Sequence, residues 1–264
     1  MSTQTPASVT LAVANQKGGV AKTTSVASIG AALAELGHRV LLVDLDPQAC
    51  LTFSLGIDPE DLEVSVHHVL TQGVDPAEII IETEDGVDLL PATIELARAE
   101  ADLLTRTGRE HVIKGALEQL ADDLEYDWVL LDCPPSLGVL TVAALTAADG
   151  VLIPLQCETL SHRGVGQLLD TVHDVRRFTN RGLEVWGVLP TLYDGRTNHA
   201  RTVLETISDT YDLAVIEPPI PKSIRFAEAP AAGRSILATA RKHRGADAYR
   251  EVAANLTRRA ARRD

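Results

Sequence analysis

Along the chain, short apolar runs alternate with longer stretches whose apolar residues recur every three to four positions. The short runs are Val9–Ala14, Arg39–Asp44, Val87–Leu90, Trp128–Asp132, Val151–Leu155, Val185–Pro190 and Ala214–Ile216. They are continuous Val/Leu/Ile stretches without period-two alternation, the pattern of strands covered on both faces. The longer stretches predict helices near 22–36, 93–104, 109–122, 138–147, 162–178, 198–210 and 247–261. This alternation predicts a single doubly wound α/β sheet, mostly parallel and flanked by helices. No repeat, low-complexity stretch or Pro/Gly/Ser linker divides the chain, so residues 8–264 read as one domain. Residues 1–7 (MSTQTPA) are small and polar and read as a flexible end.

Composition narrows the class. Of 264 residues, 45% are hydrophobic, enough to bury a sizeable core without staples. Three cysteines, Cys50, Cys133 and Cys157, form no CxxC pair and have no histidine at metal-ligand spacing. That pattern excludes a disulfide framework and a zinc site, and it suits a reducing, cytoplasmic compartment. The apolar stretch from Val9 has no basic residue before it, unlike a signal peptide, and no uncharged run is long enough to span a bilayer. Two Trp, four Tyr and three Phe leave little for stacking on single-stranded bases.

The formal net charge of −13 argues against coating nucleic acid by bulk charge. It hides an asymmetry. Residues 222–264 hold 11 Lys/Arg against 4 Asp/Glu, whereas residues 1–221 hold 13 against 33. The body is acidic and the C-terminal segment basic.

The strongest chemical signal is Lys17-Gly18-Gly19-Val20-Ala21-Lys22-Thr23-Thr24, directly after the first strand and opening a helix. Phosphates need backbone N–H groups at close range, and glycine lets the chain approach and turn. The helix N-terminus adds partial positive charge. In this frame Lys22 sits on the β/γ-phosphates and the Thr23 hydroxyl completes a magnesium site. A glycine-rich turn entering a helix is common in itself. Two carboxylate motifs at strand ends make it a site. Leu41-Leu42-Val43-Asp44-Leu45-Asp46-Pro47-Gln48 puts Asp44 and Asp46 where ligands bind in open α/β sheets, on one side if extended geometry persists. Trp128-Val129-Leu130-Leu131-Asp132-Cys133-Pro134-Pro135-Ser136 repeats the design, with Asp132 as a Walker-B-type acid and Cys133 as a small buried side chain.

The loop departs from the standard P-loop, which has glycines where this chain has Gln16 and Ala21. It resembles the deviant Walker A group of P-loop ATPases, with its K-G-G-x-x-K-[ST] pattern. Asn15-Gln16, the VDLDPQ segment, Leu90-Pro91-Ala92-Thr93, Asp132 to Ser136, Tyr193-Asp194-Gly195-Arg196-Thr197 and Ile220 to Pro230 extend the likeness to ParA/Soj-type partition ATPases. That resemblance implies magnesium-dependent ATP hydrolysis and an ATP-bound homodimer in which Lys17 reaches the partner's nucleotide. It assigns Asp44 to the magnesium shell and Asp46 to the attacking water, and places Pro221 and Lys222 along the adenine. Arg196 and Arg225 match DNA-contacting arginines. It further implies non-specific binding of double-stranded DNA, association with the nucleoid, and a ParB/Spo0J-type centromere-binding partner that stimulates slow hydrolysis. Many relatives carry Gly at position 21 and Arg at position 222, so Ala21 and Lys222 are departures.

Three other readings share the loop. A MinD-like membrane ATPase needs a C-terminal amphipathic helix, and Leu256 is the one large apolar residue between Asn255 and Asp264. A small-molecule synthetase needs a second polar cluster, and none is left over. A nitrogenase-type iron protein needs paired cysteines. Because the glycine loop begins within the first 20 residues, no DNA-binding leader is expected. A ParA-like ATPase positioning a protein cargo remains an alternative to DNA partition.

Overall fold

The computed structural model describes residues 8–158, 161–196 and 198–262. The expected flexible end, residues 1–7, lies outside them. Seven strands form one sheet: β1 (Val9–Val13), β2 (Val40–Asp44), β3 (Ile81–Glu82), β4 (Asp88–Leu90), β5 (Trp128–Asp132), β6 (Gly150–Gln156) and β7 (Glu184–Thr191). Their order is β3-β4-β2-β5-β1-β6-β7, and every pairing is parallel except the antiparallel β3–β4 edge. The long helices are α1 (Lys22–Glu35), α4 (Leu96–Leu104), α5 (Val112–Asp123), α6 (Val139–Ala147), α7 (Ser161–Phe178), α8 (Asn198–Tyr211) and α11 (Arg244–Ala260). The shorter α2 (Cys50–Ser54), α3 (Val66–Gln72), α9 (Arg225–Glu228) and α10 (Ile236–Thr239) sit in the connections.

Successive strand residues feed two cores, as the alternation of side chains across a sheet requires. Ala12, Leu41, Val43, Val129 and Leu131 pack toward α3 to α8, while Leu11, Val13, Leu42 and Leu130 pack toward α1, α10 and α11. Helix α1 has no charged residue between Lys22 and Glu35 and is buried over most of its length, the signature of a helix enclosed by its neighbours. Small residues permit that closeness: a Cβ at Gly30 would come 2.7 Å from Leu42 Cδ2. Ser25 Oγ meets Tyr249 OH of α11 at 3.0 Å. Val252, Ala253 and Leu256 of α11 are buried in the same layer. The apolar face of the last helix is therefore turned into the core.

The sequence pattern and the structure differ in a few places. Ala214–Ile216 is not a strand but a single parallel bridge, Val188 to Val215. Pro218 and Pro219 follow after Glu217, and proline has no N–H with which to continue a ladder. The two-residue β3 and the short helices escape a periodicity reading because none spans enough turns to show a period. Residues 109–111 form a separate tight turn before α5.

Candidate active site

The chain leaves β1 through Asn15, which is buried. Its Nδ2 donates to the Pro154 carbonyl at 2.7 Å, and its Oδ1 accepts from the Lys17 N–H at 3.0 Å. Gly19 has φ +74°, where only glycine is free of strain. Ala21, just before α1, has φ 63° and ψ 35°, also left-handed. The departure at position 21 thus carries a backbone consequence beyond one extra methyl. The Thr191 hydroxyl, at the end of β7, donates to the Val20 carbonyl at 2.9 Å and anchors the loop from the far side. Lys22 is 7% exposed. Burial lowers its pKa, and the nearby Asp132, Cys133 and Asp46 oppose that shift.

Asp44 and Asp132 end neighbouring strands and are fully buried, at 0% exposure each. Asp44 is well held: its Oδ2 accepts from the Thr52 N–H at 2.9 Å and the Thr52 hydroxyl at 2.8 Å, and its Oδ1 from the Asp46 N–H at 3.1 Å. Burial still pushes it up to about 6, against the pull of those bonds. Asp132 is the opposite case. Neither of its oxygens has a hydrogen-bond partner of regular geometry. Burial first, and then the charge of Asp44, raise it well above the ordinary range, while the facing Thr23 hydroxyl and Lys22 oppose the rise. A buried carboxylate left open in this way suits a hydrated cation.

Asp46 is half-buried and lies just beyond the strand end. The Leu45 N–H still donates to the Asp132 carbonyl at 3.0 Å, and the chain turns only after Asp46, with Ala49 N–H donating to the Asp46 carbonyl at 2.8 Å. The Asp46 charge acts on Asp44, Lys22 and Asp132. Among the described residues, no group of three or more His, Cys, Asp or Glu could hold a metal unaided. Hard oxygen donors completed by phosphate and water are the usual setting for magnesium, and Thr23, Asp44 and Asp132 fit that setting. Cys133 is buried and its thiol is pushed far up, chiefly by burial, as expected of a packing residue.

Lys17 lies at the mouth of the site, its Nζ 2.5 Å from Glu158 Oε2 of the same chain. A cleft of about 540 Å³ opens there between Gln16, Lys17, Pro135, Arg163 and Gln167. Pro221 bridges Tyr193 beyond the end of β7, and the Lys222 N–H donates to the Tyr193 carbonyl at 3.3 Å. From this bridge two loops emerge. One carries Arg196, exposed in a turn that Asp194 Oδ1 closes at 3.1 Å; the other carries Arg225, exposed and paired with Glu228 at 2.8 Å. Thr197 lies outside the described residues. Ser223 Oγ meets His243 Nε2 at 3.2 Å, which sets exposed Arg241, Lys242 and Arg244 beside the second loop. Other arginines of the basic segment face inward: Arg234 pairs with Asp85 and Glu84 at 2.6 Å each, and Arg250 with Glu35 at 2.6 Å.

Thr52, Thr191 and the 241–244 cluster were not evident as site residues from sequence. The cluster's exposure could have been suspected from its run of Arg241-Lys242-His243-Arg244, whereas the two threonines carry no local signal.

Residues 8–185 match a family model described as an AAA domain. The sporulation initiation inhibitor protein Soj of Bacillus subtilis is 44% identical over 250 residues, covering 93% of this chain and 98% of that protein. The chromosome partitioning protein ParA of Caulobacter vibrioides is 39% identical over 250 residues and is covered to 94%, as is this chain. A solved structure described as cobyrinic acid a,c-diamide synthase from Mycobacterium smegmatis, with bound ADP and magnesium, is 57% identical, with a TM-score of 0.85 and coverage of 96% of this chain and 95% of that one. With the deviant glycine loop, the strand-end aspartates and this breadth of identity together, the chain belongs to the ParA/Soj-type family of P-loop ATPases.

Proposed function

We propose that this ATPase partitions DNA. Two ATP-bound chains close over their nucleotides, the pair grips duplex DNA without sequence preference, and a ParB-type partner triggers the slow hydrolysis that releases it. The observation that carries the DNA reading is the Tyr193–Pro221 bridge. Through it, the segment assigned to adenine and the two arginine loops share one backbone anchor, so nucleotide occupancy and the DNA face move together.

The glycine-loop N–H groups and Lys22 hold the phosphates, and Thr23, Asp44 and Asp132 would hold magnesium, in part through water. Magnesium, when bound, neutralises charge on the β- and γ-phosphate oxygens. Asp46, half-buried where solvent reaches, orients the attacking water. Lys17 exchanges Glu158 for the partner chain's nucleotide as the dimer closes. One copy of a chain with a net charge of −13 is repelled by DNA. Two copies double the contacts from Arg196, Arg225 and the 241–244 cluster, and affinity multiplies with each contact.

The likeness to a structure described as a diamide synthase favours a second reading, ATP-driven amidation. Glutamine-dependent amidation uses an activated thiolate. Burial pushes the Cys133 and Cys157 thiols up, and exposed Cys50 is pushed up by partial desolvation and then by the charges of Asp46, Asp44 and Asp132, away from activation. A membrane-anchored role is disfavoured because Leu256 is 1% exposed and already part of the core. No helix among the described residues is long and apolar enough to cross a membrane.

The test is a DNA-shift assay on the hydrolysis-deficient Asp46→Ala protein with ATP, ADP or no nucleotide. Retardation with ATP alone is expected. Equal retardation in all three, or none, would overturn the DNA reading, and hydrolysis stimulated by cobyrinic acid with glutamine but not by DNA would establish the second one.

A further inference from the structure

We infer that Thr52 is a positioning residue that fixes the carboxylate of Asp44 for magnesium and ties it to the loop leaving β4. The inference rests on the magnesium role proposed above for Asp44. Thr52 lies in α2, eight residues beyond Asp44, and is 0% exposed. Its backbone N–H and its hydroxyl both donate to Asp44 Oδ2, at 2.9 and 2.8 Å, so one residue occupies one carboxylate oxygen from two directions.

An ionised carboxylate can only accept, so the single Thr52 hydroxyl proton goes to Asp44. The Ala92 N–H then donates to a lone pair of Thr52 Oγ1 at 3.0 Å. Asp44 Oδ1 accepts only the Asp46 N–H among the described groups, at 3.1 Å. An ionised carboxylate offers about four acceptor positions, so capacity remains on the oxygen that Thr52 does not hold.

The sheet explains why a side chain is needed here. The β2–β4 ladder runs through Leu41–Asp88, Leu42–Leu89 and Val43–Leu90. The next pairing would join Asp44 to Pro91, which has no N–H. At that point the Asp44–Thr52–Ala92 chain takes over from the backbone rung. It continues through neighbouring Thr93, whose Oγ1 meets Ser65 Oγ at 3.3 Å at the head of α3. The carboxylate is thus aimed before the cation arrives, and partners of this kind commonly tune metal affinity by about 10–100-fold.

The experiment measures binding of a fluorescent, non-hydrolysable ATP analogue while magnesium is titrated, in wild type, Thr52→Val, Thr52→Ser and Asp44→Asn. Thr52→Val should raise the magnesium needed for half-saturation about tenfold and leave magnesium-free affinity within about twofold. Thr52→Ser keeps the hydroxyl and should behave as wild type. An unchanged magnesium requirement in Thr52→Val, an equal loss in Thr52→Ser, or a parallel loss of magnesium-free affinity would overturn the inference. If Thr52→Val does not fold, Thr52→Cys, a weak donor of similar size, should show a shift of about threefold, and no shift there overturns it equally. Asp44→Asn separates the two layers. If it leaves the magnesium requirement unchanged, the role of Asp44 itself falls; if it shifts the requirement and Thr52→Val does not, only Thr52 is misassigned.

Discussion

The strand-end carboxylates and the arginine loops beyond β7 are both charged, yet they are built in opposite ways. Asp44 and Asp132 are fully buried, and Lys22 is 7% exposed. Burying charge opposes folding unless a ligand or partner compensates, so charges kept in such places mark function. The Arg225 side chain is 57% exposed and leans on Glu228, itself 53% exposed. Such a residue costs the fold nothing and announces nothing. The charge distribution deepens the contrast. No Lys or Arg occurs from residue 40 to 97, a stretch holding 13 Asp/Glu, and Arg234 of the basic segment is drawn back onto its Glu84 and Asp85. A buried site acts through a few groups held rigidly; a surface grip acts only through numbers and alignment.

The most severe way to break this comparison is Lys22→Ala. Removing a preorganised charge from a dry site should lower hydrolysis by about 10²–10³-fold. It also deprives Asp132 of a compensating cation, so Tm should fall. Single-turnover hydrolysis and a thermal melt check both, and a loss of less than about tenfold would show that the phosphates do not sit at Lys22.

Asp132→Asn should separate function from stability. Its folded pKa is raised above the ordinary 3.8, mainly by burial. The folded chain therefore holds this proton to higher pH than the unfolded chain, and wild-type stability falls as pH rises between those two values. Asparagine removes that loss. In chelator, the variant's Tm advantage should be small near pH 5 and larger at pH 8, where a gain of about 1–3 kcal/mol corresponds to about 2–4 °C per kcal/mol. Magnesium-supported hydrolysis should fall in the same protein. A Tm difference independent of pH would mean that Asp132 carries no desolvation penalty.

The same contrast explains what could be read from the sequence. Asp44 and Asp132 each close an apolar run, so recognising the strand locates the carboxylate. The loop between β1 and α1 is equally legible because its glycines are adjacent and its lysine opens a helix. Thr52 and Thr191 are not, since their contacts depend on packing: Thr191 reaches Val20 across 171 residues. Ala214–Ile216 reads as a strand until the prolines after it are weighed. On the surface, the charge sum over 222–264 counts Arg234 and Arg250 as available, although both are ion-paired with the acidic body. Arg196 and Arg225 come from family resemblance alone, because no physical pattern distinguishes them from other exposed arginines.

Arg225→Glu probes the exposed half of the comparison. It should weaken DNA binding with ATP about tenfold at moderate salt and lower the slope of log affinity against log salt by about one for each phosphate contact removed. Hydrolysis without DNA and thermal stability should stay near wild type, since exposed substitutions usually shift stability by less than about 0.5 kcal/mol. Filter binding across a salt series checks the first, and a simultaneous loss of DNA-free hydrolysis would move Arg225 into the nucleotide site.

The smallest expected effect tests how rigidly the buried half is held. Ala21 sits in the left-handed region at φ 63°, immediately before α1. For a residue with a Cβ, that conformation costs about 1–2 kcal/mol. Ala21→Gly relieves the strain but adds freedom to the unfolded chain worth about 0.4–1 kcal/mol, so the net gain should be about 1 kcal/mol or less. Ala49, with φ 50°, is a useful control because it is 2% exposed, and truncating it also removes buried contact. Ala49→Gly should therefore show no gain, or a slight loss. If Ala21→Gly instead lowers Tm, the methyl is making contacts that outweigh its strain. If it raises Tm while weakening ATP affinity, the strained alanine is itself part of the preorganisation that separates the nucleotide loop from the adaptable arginine face.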